Sequence, residues 1–256
     1  MITIDLNCDL GESFGLYTIG ADAEVMASIS SANVACGYHG GDPAVMRQTV
    51  RLARESGVAV GAHPGLPDLA GFGRREMRVS PQEVEDMVLY QIGALAAIAQ
   101  SEGVQLRHVK AHGALYNMAA RDRALAGAIA RAVAAFDRAL ILFGLPGSEL
   151  MRAGVACGLR FASEGFADRA YEADGSLAPR SHAGAVIDDI EAVVRRAVRM
   201  AVEDRVAASD GSDVEIHVET ICTHGDTPGA QALTRALRAG LEGAGIVIAP
   251  VGGPPR

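Results

Sequence analysis

The segment His108-Val109-Lys110-Ala111-His112-Gly113-Ala114-Leu115-Tyr116-Asn117 contains the pattern that the rest of the chain repeats. It overlaps the end of a short apolar run, Leu106–Lys110, that we predict to be a β-strand, and polar residues follow that run directly. Elsewhere, short apolar runs of this kind alternate with longer helical patterns. Such alternation is typical of a parallel sheet with helices packed outside it.

Eight short runs are predicted strands: Ile2–Leu6, Ala32–Ala35, Val58–Ala62, Leu106–Lys110, Ala139–Phe143, Arg160–Ser163, Ile216–Cys222 and, as a candidate closing strand, Gly245–Ala249. Cap and proline signals at Asp42-Pro43, Ser80-Pro81 and Thr227-Pro228 predict helices ending near Ser56, Glu102 and Gly243. Alanine-rich stretches predict two more helices, Asp122–Phe136 and Asp188–Ala207. About seven strand–helix units predict one α/β domain over residues 1–256, a TIM-barrel-like (β/α) barrel. An open doubly wound sheet is the lesser alternative.

Composition excludes several classes of function. The net charge of −8, without basic clusters, argues against nucleic acid as a partner. No apolar run approaches the roughly 20 residues that span a bilayer, and no secretory signal is visible. The 4 cysteines are scattered, which suits reduced thiols and a cytoplasmic protein. The glycine-rich loops that commonly bind nucleotides are missing.

Lys110 is the only lysine among 23 Lys and Arg residues. All the other cationic side chains are arginine. The one compact, titratable ammonium therefore indicates a position where a planar guanidinium would not function. The alternative is one leftover surface lysine. Because Lys110 ends a predicted strand two residues before His112, we expect both side chains to be catalytic, with Gly113 leaving room for a ligand.

The first strand is rich in acidic and amide side chains. Alternation places Asp5, Asn7 and Asp9 on one side of the extended segment, the side predicted to face the barrel interior, and Glu12 follows. Buried acceptors are costly unless they bind a cation, a donor or a substrate. We therefore expect Asp5, Asp9 and Glu12 to be catalytic, the alternative being that Asp5 only ties down a neighbouring loop.

Other polar residues also follow predicted strands, at the edge where βα loops converge in a barrel. His39 lies between glycines and His63 ends a strand, and we expect both to be catalytic. Cys36, His108 and His217 are expected to be structural. The predicted substrate-binding residues are Asn7, Asn33, Arg74, Asn117, Arg169, His224 and Asp226. A metal ion is a further alternative, with Asp5, Asp9 and His63 as candidate ligands, although no H-E-x-x-H motif is present.

Seven ordered motifs resemble the LamB/YcsF family. They are residues 5–12 (DLNCDLGE), 31–43 (SANVACGYHGGDP), 61–65 (GAHPG), 71–75 (GFGRR), 112–117 (HGALYN), 166–171 (FADRAY) and 224–228 (HGDTP). Ala111 departs from the family, which commonly has proline between the lysine and the histidine.

The resemblance implies a TIM-barrel-like scaffold related to the glycoside hydrolase/deacetylase group. It also implies 5-oxoprolinase activity, in which 5-oxo-L-proline is opened to L-glutamate while ATP is hydrolysed to ADP and phosphate. The implied cofactor is ATP, with Mg²⁺ accompanying the nucleotide, and the implied partners are the B and C subunits (PxpB and PxpC). Two other functions stay open: a stand-alone metal-dependent deacetylase or amidohydrolase, and a non-catalytic regulatory subunit that binds a small acid.

Overall fold

A closed ring of seven parallel strands forms the centre of the molecule. The structure is a computed structural model that describes residues 2–179, 182–225 and 229–253. Its strands are β1 (Thr3–Leu10), β2 (Ser31–Ala35), β3 (Ala59–His63), β4 (Leu106–Lys110), β5 (Ile141–Gly144), β6 (Arg160–Phe166), β7 (Arg205–Ala207), β8 (Asp213–Glu215), β9 (Thr220–His224) and β10 (Val247–Ile248). The ring follows the order β1 to β6 and closes through β9, which pairs with both β6 and β1. The predicted barrel of about seven strands is confirmed.

Eight helices are described around the strands: α1 (Asp22–Met26), α2 (Pro43–Glu55), α3 (Pro81–Ser101), α4 (Gly113–Arg121), α5 (Arg123–Phe136), α6 (Glu149–Ala156), α7 (Ile190–Glu203) and α8 (Ala230–Gly243). Two predicted starts are confirmed. The Asp42 carboxylate accepts bonds from the first-turn amides of α2, and Ser80 forms a capping box with Glu83 at the start of α3. The predicted start of the last helix, Thr227-Pro228, lies outside the described residues.

Several predicted boundaries are wrong: β1 runs on to Leu10 instead of ending at Leu6, and β6 to Phe166 instead of Ser163. The closing strand is β9, whereas β10 only pairs with Thr3 and Ile4 of β1. The predicted strand Ile216–Cys222 begins late, at Thr220, because the preceding residues belong to a connection. The predicted helix Asp188–Ala207 ends at Glu203, since Asp204 adopts a left-handed conformation (φ 53°) and the chain then enters the antiparallel pair β7–β8.

The two faces of the strands have different chemistry. Side chains on one face of β1, such as Leu6, Cys8 and Leu10, are buried in the apolar core that includes the helices. The alternate positions face inward, where a small apolar cluster of Ile141, Phe143 and Ala162 occupies one part of the barrel. The rest of the interior is polar and holds the candidate site. Among the described residues, no helix has both the length and the apolar character needed to cross a membrane.

Candidate functional site

The Asp5 carboxylate forms the lowest layer of the polar interior. It accepts hydrogen bonds from Ser30 Oγ (2.6 Å), Ser31 Oγ (2.8 Å) and Thr220 Oγ1 (2.6 Å), and thereby links β1 to the start of β2 and to β9. Burial raises the pKa of Asp5 to about 6, although the three hydroxyls act in the opposite direction. These contacts indicate a structural role for Asp5, as the alternative expected, although its carboxylate joins neighbouring strands and not only a loop.

An amide layer lies above Asp5. Asn7 donates from Nδ2 to Glu164 Oε1 (3.0 Å) and to Thr220 Oγ1 (2.7 Å). Asn33 donates to Asn7 Oδ1 (2.7 Å) and to Asp9 Oδ1 (2.8 Å), and its own Oδ1 lies 2.7 Å from His108 Nε2. The two asparagines, predicted to bind substrate, are thus held within the barrel wall, and His108 is structural as expected.

Lys110 lies at the top of this network and is only 2% exposed. Its Nζ lies 2.9 Å from Asp9 Oδ1, 2.9 Å from Glu164 Oε1 and 2.9 Å from Cys222 Sγ. Asn7 Oδ1 is 3.3 Å away. The structure therefore confirms that Lys110 is buried inside the barrel and is not an ordinary surface cation.

The ionisation of this group follows from its contacts. Burial alone would lower the pKa of Lys110, but Asp9, Cys222 and Glu164 outweigh it and hold that pKa well above its ordinary value. Burial opposes ionisation of Asp9 as well, yet the neighbouring His63 and Lys110 hold the pKa of Asp9 well below its usual range. Burial raises the pKa of Cys222, so its thiol stays neutral. The result is a preformed ammonium–carboxylate pair.

Three imidazoles and a carboxylate form a second cluster, which we call the histidine cluster: Glu12, His39, His63 and His112. His63 Nε2 lies 2.9 Å from His112 Nδ1, and Glu12 Oε1 lies 3.3 Å from His39 Nε2 and 3.5 Å from His112 Nδ1. His39 and His112 are stacked, with ring centroids 3.6 Å apart. The cluster contacts the Lys110 group through Asp9, whose Oδ2 lies 3.2 Å from His63 Nε2.

Two loops must approach closely to build the histidine cluster. A Cβ at Gly40, beside His39, would lie 2.7 Å from the carbonyl oxygen of Glu12. Gly113, after His112, has a φ of 56°, and a Cβ there would lie 2.6 Å from the carbonyl oxygen of Gly73. Gly113 does line the cleft, but the neighbouring loop occupies the space that a side chain there would fill.

A buried Asp–His pair lies across the barrel mouth from the histidine cluster. His224 Nδ1 is 2.8 Å from Asp168 Oδ2, and both side chains are less than a tenth exposed. The pair brings together the ends of β9 and β6. Since a carboxylate that holds one imidazole nitrogen orients the other, this arrangement suits proton transfer at His224 Nε2.

A cleft of about 740 Å³ opens over these groups. Its lining includes Asp9, Arg74, Lys110, His112, Tyr116, Asn117, Phe166, Arg169 and His224. Glu12, His39 and His63 lie behind His112 and do not line it. Arg74 lies over the Phe72 ring, and Arg169 donates to the carbonyls of Ala178 and Ala185. Of the predicted substrate-binding residues, only Asp226 lies outside the described residues.

Sequence reasoning gave no role to four members of the site: Glu164, Asp168, Cys222 and Tyr116. Alternation along β6 and β9 would have found two of them, because Glu164 and Cys222 occupy inward positions, as Asn7 does on β1. His217, expected to be structural, is exposed and bonds to Asp204. Asp5, a candidate metal ligand, belongs to neither group of described side chains close enough to share a metal ion, and hydroxyls surround its carboxylate.

Comparison with known proteins covers nearly the whole chain. The sequence profile of the LamB/YcsF family matches residues 4–255. The 5-oxoprolinase A subunit of Symbiobacterium thermophilum is 60% identical over 249 residues, which is 97% of this chain and 95% of that protein. The crystal structure of a lactam utilization protein from Thermus thermophilus is 52% identical with a TM-score of 0.93, over 97% of this chain and 99% of that one. A T48 deacetylase with substrate is 13% identical with a TM-score of 0.52, over 100% and 94% of the two chains, which is a likeness of fold alone.

Proposed function

The chain belongs to the LamB/YcsF family, and from this premise we propose that it is the A subunit of a 5-oxoprolinase. In this proposal it opens the lactam ring of 5-oxo-L-proline to L-glutamate, together with B and C subunits, while ATP is hydrolysed to ADP and phosphate. The observation that carries the proposal is the 60% identity, over 97% of this chain, to a protein named as the A subunit of 5-oxoprolinase.

The chemistry of the cleft supports a small acidic substrate. Four cationic side chains line it, namely Arg74, Lys110, Arg121 and Arg169, and 5-oxoproline carries one carboxylate beside its lactam. Arginine forms paired hydrogen bonds with carboxylates, so we assign recognition of the substrate carboxylate to Arg74 or Arg169. Asn117, which also lines the cleft, is assigned to the substrate as a hydrogen-bonding side chain.

The reaction requires activation of a poor electrophile. Phosphorylation of the lactam oxygen by ATP would make the ring carbon a better electrophile for water, and Mg²⁺ would accompany the nucleotide. Breakage of the C–N bond, with a proton delivered to the nitrogen, would then leave an acyl phosphate, which a second water would hydrolyse to L-glutamate and phosphate. We assign the ATP requirement to the assembled subunits, because this chain has none of the common glycine-rich nucleotide loops.

The side chains in the cleft are suited to the two halves of the ring opening. Lys110 would stabilise negative charge that develops on the substrate oxygen, since its ammonium is held in place before the substrate arrives. His224, oriented by Asp168, would remove a proton from the attacking water or deliver one to the departing ring nitrogen. His112 also lines the cleft, but Phe72 and His63 hold its two ring nitrogens, so we assign no proton transfer to it.

Reconstitution of the chain with its B and C partners tests the proposal. We expect 5-oxoproline and ATP to yield glutamate and ADP with all three subunits, and neither product in the reaction that lacks this chain. Turnover of acetylated or amide substrates by this chain alone, without ATP, would instead favour the metal-dependent amidohydrolase. Binding of 5-oxoproline without turnover in the full mixture would favour the regulatory subunit.

A further inference from the structure

The histidine cluster has a hydrogen-bonding arrangement that its own side chains cannot complete. His63 Nδ1 lies 2.8 Å from the carbonyl oxygen of Lys110, and His112 Nε2 lies 2.8 Å from the carbonyl oxygen of Phe72. A carbonyl oxygen only accepts, so each of these nitrogens must carry a proton. In the neutral rings, His63 Nε2 and His112 Nδ1 therefore both present lone pairs, although they face each other at 2.9 Å.

His39 supplies an independent indication. Its ring is 1% exposed, yet neither of its nitrogens has a hydrogen-bond partner. A buried imidazole without a partner costs free energy comparable to a lost hydrogen bond, and such atoms call for a ligand or an ion. Its Nε2 points toward the same carboxylate oxygen, Glu12 Oε1, that approaches His112 Nδ1.

We propose that Glu12, His39, His63 and His112 bind one transition metal ion of the Zn²⁺ class beside the cleft. A metal ion accepts the lone pairs of His63 Nε2 and His112 Nδ1, which face each other. With both outer nitrogens protonated, two neutral rings have no donor to place between them. It also gives His39 the partner that it lacks.

The spacing and the residue types fit such an ion. One ligand atom from each of the four side chains lies within 4.8 Å of the others, and the separations between neighbouring ligand atoms include 2.9, 3.3 and 3.5 Å. Ligand atoms at 2.0–2.1 Å from a tetrahedral zinc are about 3.3 Å apart. Three imidazoles with one carboxylate select zinc-like metals over Mg²⁺ or Ca²⁺, which prefer oxygen ligands.

The surroundings of the cluster also resemble those of metal-binding histidines. Backbone carbonyls hold the outer nitrogens of His63 and His112, which is how such rings are commonly fixed in orientation. The Phe72 ring meets His39 and His112 edge to face, with centroids 5.7 and 5.3 Å apart. The alternative occupant is a proton shared between His63 and His112 and balanced by Asp9.

Metal content of the purified chain distinguishes an ion from a proton. After exchange into buffer containing Zn²⁺ and removal of free metal, we expect about one equivalent per chain by mass spectrometry. Titration of the metal-free chain with Co²⁺ should produce visible absorption bands that saturate at one equivalent. The melting temperature should rise by a few degrees on addition of Zn²⁺.

Variants locate the ion. His112→Gln and Glu12→Gln should each lose the Co²⁺ bands or weaken binding at least tenfold, whereas His217→Gln, at an exposed histidine far along the chain, should bind as the parent does. A parent chain that takes up neither Zn²⁺ nor Co²⁺, or binding that survives both substitutions, would overturn the proposal. These measurements use the isolated folded chain and no substrate, so their failure is distinct from failure of the 5-oxoprolinase assignment.

Discussion

The Lys110 ammonium lies where an unpaired charge would be very unfavourable. Two carboxylates and a thiol within 2.9 Å hold it, and burial removes the water that would otherwise solvate it. Because these contacts fix the ammonium, it stays in place when a substrate enters. A charge fixed in this way is suited to electrostatic stabilisation of a reacting oxygen.

Lys110→Arg tests whether a compact ammonium is required. The guanidinium is larger and planar, so it cannot occupy the position between Asp9, Glu164 and Cys222, and we expect the reconstituted ring-opening rate to fall at least about 100-fold. Arg131→Lys, the reverse exchange at an exposed ion pair with Glu85, should leave the rate unchanged. A Lys110→Arg enzyme with parental activity would contradict the role of the ammonium.

Asp168→Asn tests the buried Asp–His pair. Loss of the carboxylate removes the charge that orients His224, and we expect the reconstituted turnover rate to fall by about 100-fold or more while the melting temperature changes little. Asp204→Asn is the matched control, because Asp204 holds the exposed His217 in the same way, at 2.9 Å against 2.8 Å for the buried pair. Equal effects of the two substitutions would exclude a specific role for Asp168.

The sequence predicted the location of some of these side chains well and missed others for a physical reason. A single lysine and an acidic, alternating first strand are visible in one dimension. Glu164 and Cys222 look ordinary in the sequence. Both lie more than 50 residues from Lys110 along the chain, and their strands bring them to it only in the closed barrel.

The junction of β4 and α4 depends on two backbones in close contact. Gly113 has no side chain, and the carbonyl oxygen of Gly73 fills the space beside it. The same oxygen accepts a hydrogen bond from the amide of Ala114. This contact positions His112 against the loop that carries Phe72. The start of α4 therefore belongs to the site as much as the side chains do.

Gly113→Ala should disturb that junction. The new Cβ would lie 2.6 Å from the Gly73 carbonyl oxygen at a positive φ, so both steric overlap and backbone strain oppose it. Gly103→Ala has a similar φ of 73° but open space around it, and should cost only about 1 kcal/mol in the free energy of unfolding. We expect a clearly larger cost and reduced activity for Gly113→Ala, measured by urea denaturation and turnover. Equal costs would show that the contact is unimportant.

Elements with local start signals were predicted more accurately than those fixed by distant contacts. Asp42 and Ser80 cap their helices as their sequences indicate, because a cap is a contact within four residues. The short strand β10 resembles a closing strand in sequence, but β9 occupies the position between β6 and β1. Only the closure of the ring decides between the two candidates.

At the scale of the whole molecule, Asp5 joins the first strand of the ring to the last. Its carboxylate accepts from Thr220 on β9 and from Ser31 on β2, so it binds both neighbours of β1. Because its pKa is raised to about 6, the folded barrel holds the Asp5 proton more tightly than the unfolded chain does. Ionisation of Asp5 therefore weakens the fold.

The pH dependence of stability should reveal this. Between about pH 4 and pH 7 the folded state binds more protons at Asp5 than the unfolded state. Stability therefore falls as pH rises through the folded-state pKa of about 6 and levels off above about pH 7, a change of about 3 kcal/mol. The free energy of unfolding of the parent minus that of Asp5→Asn should show this fall. Asp174→Asn is the control, since Ser176 lowers the pKa of Asp174 and the trend should be small and opposite. A flat difference for Asp5→Asn would contradict the assignment.

The burial of the single lysine has a practical consequence for mapping the contacts of this chain with other proteins. Succinimidyl esters and other amine-directed cross-linkers will find no accessible lysine side chain on it, because Lys110 is 2% exposed. Lack of lysine-mediated cross-links to candidate partners would therefore carry no information about association. Carboxyl-directed reagents are the appropriate choice, and any acylation of Lys110 would report opening of the barrel mouth.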